Sequence, residues 1–253
     1  MSTPTRDTAP TATDKRSQRA PMDPMRKTAY VVGGLFVLTY ITSIAAKLSF
    51  YPPFLDNADY ILGDGEDTRV LWGAFFEMIL IIANIGTAVA LYPVLRRRFP
   101  ALSLGFVTAR VMESVFIGVG VLAVLTLVTM RQDFSGTDTA ALAPVGHALV
   151  ALQEWTFNLG PAFVVGVGNG LILGYMMYKT GLVPRGMAVL GLIGGTLIVL
   201  SGTAVMFGVI EAGSAAQNLA SVPEFFWELS FGVYLIVKGF KPSAITADMV
   251  DAR

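Results

Sequence analysis

Apolar residues are gathered into six long runs, at about residues 28–50, 70–95, 102–130, 145–178, 186–210 and 220–238. Each run has about 20 or more mostly apolar residues, enough for a helix to cross a hydrocarbon core about 30 Å thick. Because that core holds no water to satisfy backbone polar groups, the runs are expected to be helical. The pattern therefore predicts an all-α polytopic bundle with six membrane-spanning helices.

The segments outside these runs are predicted to be short and polar. Residues 1–26 are rich in Thr, Pro, Ser and Ala with scattered Lys and Arg, which predicts a disordered cytoplasmic tail. Residues 27–240 then form a single transmembrane bundle, and residues 241–253 form a short cytoplasmic tail. The fourth run is longer than a bilayer needs, so its first two turns project above the membrane or lie in the interface. A further interfacial helix near 135–150 is compatible with the same topology.

Composition supports a membrane protein and excludes several kinds of site. Charged residues are only 14% of the chain, against about 25% in soluble domains. The absence of cysteine excludes disulfides, thiolate catalysis and cysteine metal sites. A single histidine excludes a multi-histidine zinc site and leaves only mixed His/carboxylate coordination open. We therefore predict no metal site and no cofactor, and nothing favours nucleic-acid binding.

The distribution of basic residues predicts the orientation. With the N-terminus in the cytoplasm, only Arg69 and Arg131 lie on the outer side, where the first loop is acidic. Basic residues concentrate on the cytoplasmic side of membrane proteins, so both termini are predicted to be cytoplasmic. The Arg and Lys residues on the predicted cytoplasmic side are Arg6, Lys15, Arg16, Arg19, Arg26, Lys27, Arg96, Arg97, Arg98, Lys179, Arg185, Lys238, Lys241 and Arg253.

The second half of the chain carries three distinctive strings. They are N-L-G-P-A-F from Asn158, L-I-L-G-Y-M-M-Y-K-T-G-L-V-P-R-G-M-A-V-L-G-L-I-G-G from Leu171, and F-F-W-E-L-S-F-G-V-Y-L-I-V-K-G-F-K-P from Phe225. Together with A-R-V-M-E-S around Arg110 and Glu113, they resemble the bacterial integral-membrane family catalogued as domain of unknown function 4386. The resemblance implies a location in the bacterial inner membrane. It implies no reaction, because the family is defined without an activity.

Ionisable residues inside the predicted helices are the main functional signal, because each one costs about 2.5–3.5 kcal/mol at the centre of a bilayer. Such residues usually face the bundle interior and find partners there. Residues spaced four or seven apart share one face of a helix, as His147, Glu154 and Asn158 do. The candidate ligand-binding residues are Glu77, Arg110, Glu113, Glu154, Asn158 and Glu228, and the weaker candidates are Lys47, His147 and Glu224.

The polar faces of five helices predict a chamber that opens outward and binds a small ligand, a cation or a proton. The same residues also have structural explanations. Arg110 and Glu113, three residues apart, could simply form an ion pair that lets their helix insert. Lys47 and Glu224 could reach water at the interface. Pro161 removes a backbone N–H and is predicted to bend the fourth helix, as in transporter sites or as a packing feature alone.

Three classes of function stay open at this point. Transport or ligand binding in the chamber is favoured. An intramembrane enzyme on a lipid or isoprenoid substrate is the first alternative, although no nucleophile motif, Asp-rich motif or His cluster supports it. A non-catalytic structural or regulatory subunit is the second.

The predicted partners of the chain are the lipid bilayer, a small-molecule or ion ligand and a second copy of the chain. Rows of small residues suggest how the helices pack with one another or with that second copy. Small residues four apart let helices approach closely, within the chain or across a homo-oligomer. Two such rows are Gly166, Gly170 and Gly174, and Gly191 and Gly195.

Overall fold

The computed structural model describes residues 23–55, 57, 60–62, 65–134 and 142–243. These residues contain no strand, and six of their helices are long and apolar enough to cross a membrane. The prediction of an all-α, six-span, multi-pass membrane protein is thus confirmed, with every predicted helix end within five residues of its position in the structure. The six helices are α1 (Pro24–Phe50), α2 (Asp67–Leu95), α3 (Pro100–Asp133), α4 (Ala143–Thr180), α5 (Arg185–Met206) and α6 (Ala215–Val237).

Parts of three predicted segments lie outside the described residues. They are residues 1–22 of the N-terminal tail, residues 244–253 of the C-terminal tail and residues 135–141 of the interfacial segment. Residues 143–150 of that interfacial segment belong to the first turns of α4.

The six helices form a closed ring. Each helix packs against the next one in the chain, and α6 packs against α1. We call the two ends of the ring the 51–66 end and the 96–99 end, after the loops that they contain. Arg26 joins the first and last helices at the 96–99 end, where its guanidinium donates to the carbonyl oxygens of Ile236 (2.8 Å) and Val237 (3.1 Å) at the end of α6.

Two helices are interrupted by π-helical winding. The last residues of α1, Ala45–Phe50, form a π-helix, and α4 contains two more at Asn158–Val164 and Gly166–Leu173. A π-helix places more residues in each turn and therefore changes the direction of the side chains that follow, and such segments are frequent at functional sites. Pro161 lies within the first π-helix of α4. The sequence predicted a disturbance of the helix at Pro161 but did not predict its π-helical form.

Small residues bring α4, α5 and α6 into close contact. A Cβ atom on Gly170 would meet the Cα atom of Gly195 and would lie 2.7 Å from Oε2 of Glu224. A Cβ atom on Gly194 would likewise meet the backbone of Glu224. The predicted rows of small residues are therefore used for packing within the chain.

We expect Gly170→Ala to lower the free energy of unfolding by about 1–3 kcal/mol, because the added methyl group overfills a contact between helices. The matched control is Gly34→Ala in α1, where nothing lies within 4 Å of the new methyl group. This control should be neutral or stabilising by up to about 1 kcal/mol, since alanine favours a helix more than glycine does. Thermal unfolding of the purified variants in detergent measures both effects. Equal stabilities would contradict the close contact.

Candidate functional site

Two adjoining cavities lie inside the ring. The large cavity has a volume of about 520 Å³ and reaches the residues near the 51–66 end, including Tyr51 and Gly213. The small cavity has a volume of about 200 Å³ and reaches Asn84, Arg110 and Glu113. The residues that line both cavities are Ser43, Phe157, Pro161, Ile198 and Ser221.

A buried carboxyl group with one donor lies in the large cavity. Glu77 of α2 is buried, and the hydroxyl of Tyr51 donates to its Oε2 atom over 2.6 Å. Tyr51 follows α1, so the donor comes from outside the helices. Burial and the neighbouring Glu77 carboxylate raise the pKa of Tyr51 well above its ordinary value, so its hydroxyl remains a donor across the physiological range.

A lysine ammonium group and an aromatic ring meet in the same cavity. The Nζ atom of Lys47, in the π-helix of α1, lies 3.9 Å from the centroid of the Phe157 ring, a cation–π contact. Glu154 lines this cavity too and is close enough to attract the Lys47 charge. Glu154 is exposed within the chain, and Lys47 is the cation that the structure places near it.

An amide pair completes the polar lining of the large cavity. Asn158 is buried at the start of the first π-helix of α4, and Nε2 of Gln217 on α6 donates to its Oδ1 atom over 2.7 Å. The Nδ2 atom of Asn158 has no hydrogen-bond partner among the described residues. The pair therefore joins α4 to α6 at the wall of the large cavity.

The small cavity contains a buried polar triad. Arg110 and Glu113 on α3 form an ion pair of 2.7 Å, as their spacing predicted, with both side chains almost fully buried. Asn84 on α2 joins them, because its Nδ2 atom donates to Glu113 over 2.9 Å and its Oδ1 atom accepts from Arg110. The triad links α2 to α3, and the charge of Arg110 is compensated by Glu113.

Two further carboxyl groups lie on the α6 side of the small cavity. Glu224 is buried, and neither of its carboxylate oxygens has a hydrogen-bond partner in the described part of the chain. Glu228 accepts a hydrogen bond from Nδ2 of Asn169 on α4. Asn169 was not among the candidate residues. An amide side chain within a run of glycines and apolar residues at membrane depth was the signal that could have found it.

The structure thus brings eight of the nine candidate residues to the cavities. Lys47, Glu77, Glu154 and Asn158 line the large cavity, and Arg110, Glu113, Glu224 and Glu228 line the small one. His147 does not line either cavity and is exposed in the first turns of α4. The groups that sequence reasoning missed are Tyr51, Asn84 as a partner of the ion pair, Asn169 and Gln217.

A comparison with protein families gives one match. The model of the family described as domain of unknown function (DUF4386) matches residues 31–239. The matched region includes every residue that lines the two cavities. No curated protein and no solved structure matches the chain.

Proposed function

We propose that this chain, which belongs to the DUF4386 family, binds a small positively charged ligand in its two adjoining cavities. The protein either holds this ligand or transports it across the membrane. The ligand is a cation or an amine. The observation that carries the proposal is the excess of carboxyl groups over basic groups along the cavity walls.

The excess is three groups. Five carboxyl groups line the cavities, against two basic side chains, Lys47 and Arg110. Arg110 is already paired with Glu113, and Lys47 lies near Glu154. Because an uncompensated charge is expensive inside a membrane protein, the remaining groups favour a cationic ligand or bound protons. The five carboxyl groups are those of Glu77, Glu113, Glu154, Glu224 and Glu228.

The route of entry follows from the position of the large cavity. The distribution of basic residues supports a cytoplasmic 96–99 end, which makes the 51–66 end face the outside of the cell membrane. The large cavity lies near this end, with Lys47 and Glu154 in its wall. In the proposed function a ligand enters from outside, meets the carboxyl groups of the large cavity first and then reaches the small cavity. His147 also lies near this end, in the first turns of α4.

Pro161 and the π-helices support a binding role for α4. Interrupted helices at membrane depth leave backbone groups available and often line transport sites. The three π-helical segments found among the described residues all contribute cavity residues or their direct partners: Lys47, Asn158 and Asn169.

The proposal predicts that a small amine raises the thermal stability of the purified protein and that Glu77→Gln weakens this effect at least tenfold. The glutamine keeps the acceptor for the Tyr51 hydroxyl and removes only the charge, so the fold should be retained. Ethanolamine, choline and putrescine are suitable probes, and native mass spectrometry identifies any ligand that is purified with the protein.

The control is Glu66→Gln, which removes an exposed carboxylate outside both cavities. It should leave the stabilisation by amines unchanged. No stabilisation by any of the amines, together with no purified ligand, would contradict the proposed function. Loss of folding in Glu77→Gln and in Glu154→Gln alike would instead support the structural alternative.

A further inference from the structure

Three buried oxygen atoms near the small cavity have no hydrogen-bond partner within the described ranges of the chain. They are both carboxylate oxygens of Glu224 and the Oδ1 atom of Asn169, whose side chains are 3% and 0% exposed. None of them has a donor among the described residues. A buried acceptor without a partner costs about 1–3 kcal/mol, and more when it is charged. The arrangement therefore favours a bound ion or molecule that supplies the missing partner.

These oxygen atoms belong to one contact between α4 and α6. The Nδ2 atom of Asn169 donates to Glu228, and the indole N–H of Trp227 donates over 3.0 Å to the backbone oxygen of Asn169. The Oε2 atom of Glu224 lies against Gly170, the residue that follows Asn169 in the second π-helix of α4. Glu224 and Glu228 are also neighbours on one face of α6, four residues apart.

The charged groups around this contact do not compensate one another. Arg110 acts on both Glu224 and Glu228 through its charge, but its hydrogen bonds go to Glu113 and Asn84. The hydroxyl of Tyr40, which donates to the backbone oxygen of Phe225, is also within hydrogen-bonding range of Glu228. The charge of Arg110 is compensated by Glu113, so both carboxyl groups of α6 lack a countercharge. Because two neighbouring carboxylates repel each other, one of them is expected to keep its proton, which leaves about one negative charge to be compensated.

The kinds of atom at this contact between α4 and α6 determine which ion or molecule can bind there. Carboxylate and amide oxygens are ligands for hard cations. The unpartnered oxygens have almost no accessible surface, so the occupant is a small ion and not an organic amine. The single negative charge that remains after one of the two carboxyl groups keeps its proton favours a singly charged ion over a doubly charged one. Interrupted transporter helices that bind Na⁺ near the middle of the membrane use the same kinds of group.

We propose that Glu224, Glu228 and Asn169 form a binding site for one small monovalent metal cation, of the size of Na⁺, between the second π-helix of α4 and α6. The site rests on the proposed function, because the ion reaches it through the large cavity. In a transporter it would serve as the site of the coupling ion.

Trp227 is a reporter placed in the site itself, because it lies between Glu224 and Glu228 in the chain and donates to Asn169. The chain has two other tryptophans, Trp72 and Trp155, and both are exposed. Trp72→Phe and Trp155→Phe together leave Trp227 as the single fluorophore. The experiment is a titration of this purified protein with NaCl at mildly alkaline pH, with N-methylglucamine chloride replacing it at constant ionic strength.

We expect a saturable change in Trp227 fluorescence with Na⁺ and an increase in thermal stability over the same concentrations. Glu224→Gln should weaken the apparent affinity for Na⁺ at least tenfold, and Asn169→Ala should weaken it as well. Glu66→Gln, outside both cavities, should respond as the unsubstituted protein does. If Glu224→Gln does not fold, Asn169→Ala and Glu228→Gln provide the same comparison.

The absence of any response to Na⁺, Li⁺ and K⁺ in both fluorescence and thermal stability would overturn the site and leave protons as the occupant. An unchanged Na⁺ affinity in folded Glu224→Gln would overturn it as well. If amines still stabilise the protein in either case, the proposed function stands and only the metal site is wrong. A Na⁺ response that Glu224→Gln weakens, without any response to amines, supports the metal site and contradicts an amine ligand.

Discussion

Replacing Arg110 by methionine is expected to lower the free energy of unfolding by about 3–5 kcal/mol, the effect of removing one partner from a buried ion pair. Methionine keeps much of the length and apolar surface of the side chain but removes the charge. Glu113 would then retain only the Asn84 donor, and the Oδ1 atom of Asn84 would lose the guanidinium that it accepts from. The small cavity would also lose the one basic group in its wall.

Unfolding of the purified variant in mixed micelles with increasing denaturing detergent measures this effect. The control is Arg98→Met, which changes an exposed arginine at the 96–99 end and should shift stability by less than about 0.5 kcal/mol. The double variant Arg110→Met with Glu113→Gln should recover part of the loss, because the unpaired carboxylate is then removed as well. A loss of similar size for Arg98→Met and Arg110→Met would contradict a buried ion pair.

Replacing Arg131 by methionine is expected to lower the free energy of unfolding by about 2 kcal/mol, between the values for exposed and buried ion pairs. Arg131 holds Asp67 in a two-pronged contact, with Nε–Oδ1 and Nη2–Oδ2 distances of 2.8 and 2.6 Å. This contact joins the end of α3 to the start of α2. Tyr60 adds a hydrogen bond of 2.6 Å to Asp67. Burial and this hydrogen bond raise the pKa of Tyr60 well above its ordinary value, so it remains a donor.

The matched control is Arg69→Met, which breaks an exposed ion pair with Glu66 at the same end of the ring. Such pairs contribute between zero and about 1 kcal/mol. Thermal unfolding in detergent compares the two variants. Equal losses would show that the contact between Arg131 and Asp67 does not hold the 51–66 end together.

The helices could be predicted from the sequence because the bilayer imposes a simple rule on apolar length. The ion pair of Arg110 with Glu113 could also be predicted, since three residues separate them on one helix. Partners on other helices were less accessible to sequence reasoning. Asn84 lies seven residues after Glu77 and so shares its face of α2, but nothing in the local sequence indicates that it bridges Arg110 and Glu113.

The π-helical segments explain most of what the sequence could not show. Side-chain direction was inferred from α-helical spacing, and this inference fails where a turn contains additional residues. Lys47 lies in such a segment, and its ammonium lies over Phe157. Asn169 lies in another and was overlooked among glycines. Tyr51 was missed for a different reason, because it belongs to a loop whose path depends on tertiary contacts.

The central claim is that the cavities are accessible from the 51–66 end and favour positive charge. The chain has no cysteine, so a single introduced cysteine reports on one position. Ser43 lines both cavities, whereas Ser201 is buried in α5 and lines neither. A cavity wall with excess carboxylates concentrates cations and repels anions.

The most direct test is the labelling rate of Ser43→Cys in right-side-out vesicles, with methanethiosulfonate reagents that carry either trimethylammonium or sulfonate. We predict that the trimethylammonium reagent reacts at least tenfold faster than the sulfonate reagent, and that Ser201→Cys reacts with neither. Equal rates for the two reagents at Ser43→Cys, or labelling only in inverted vesicles, would contradict an outward-opening cavity for cations.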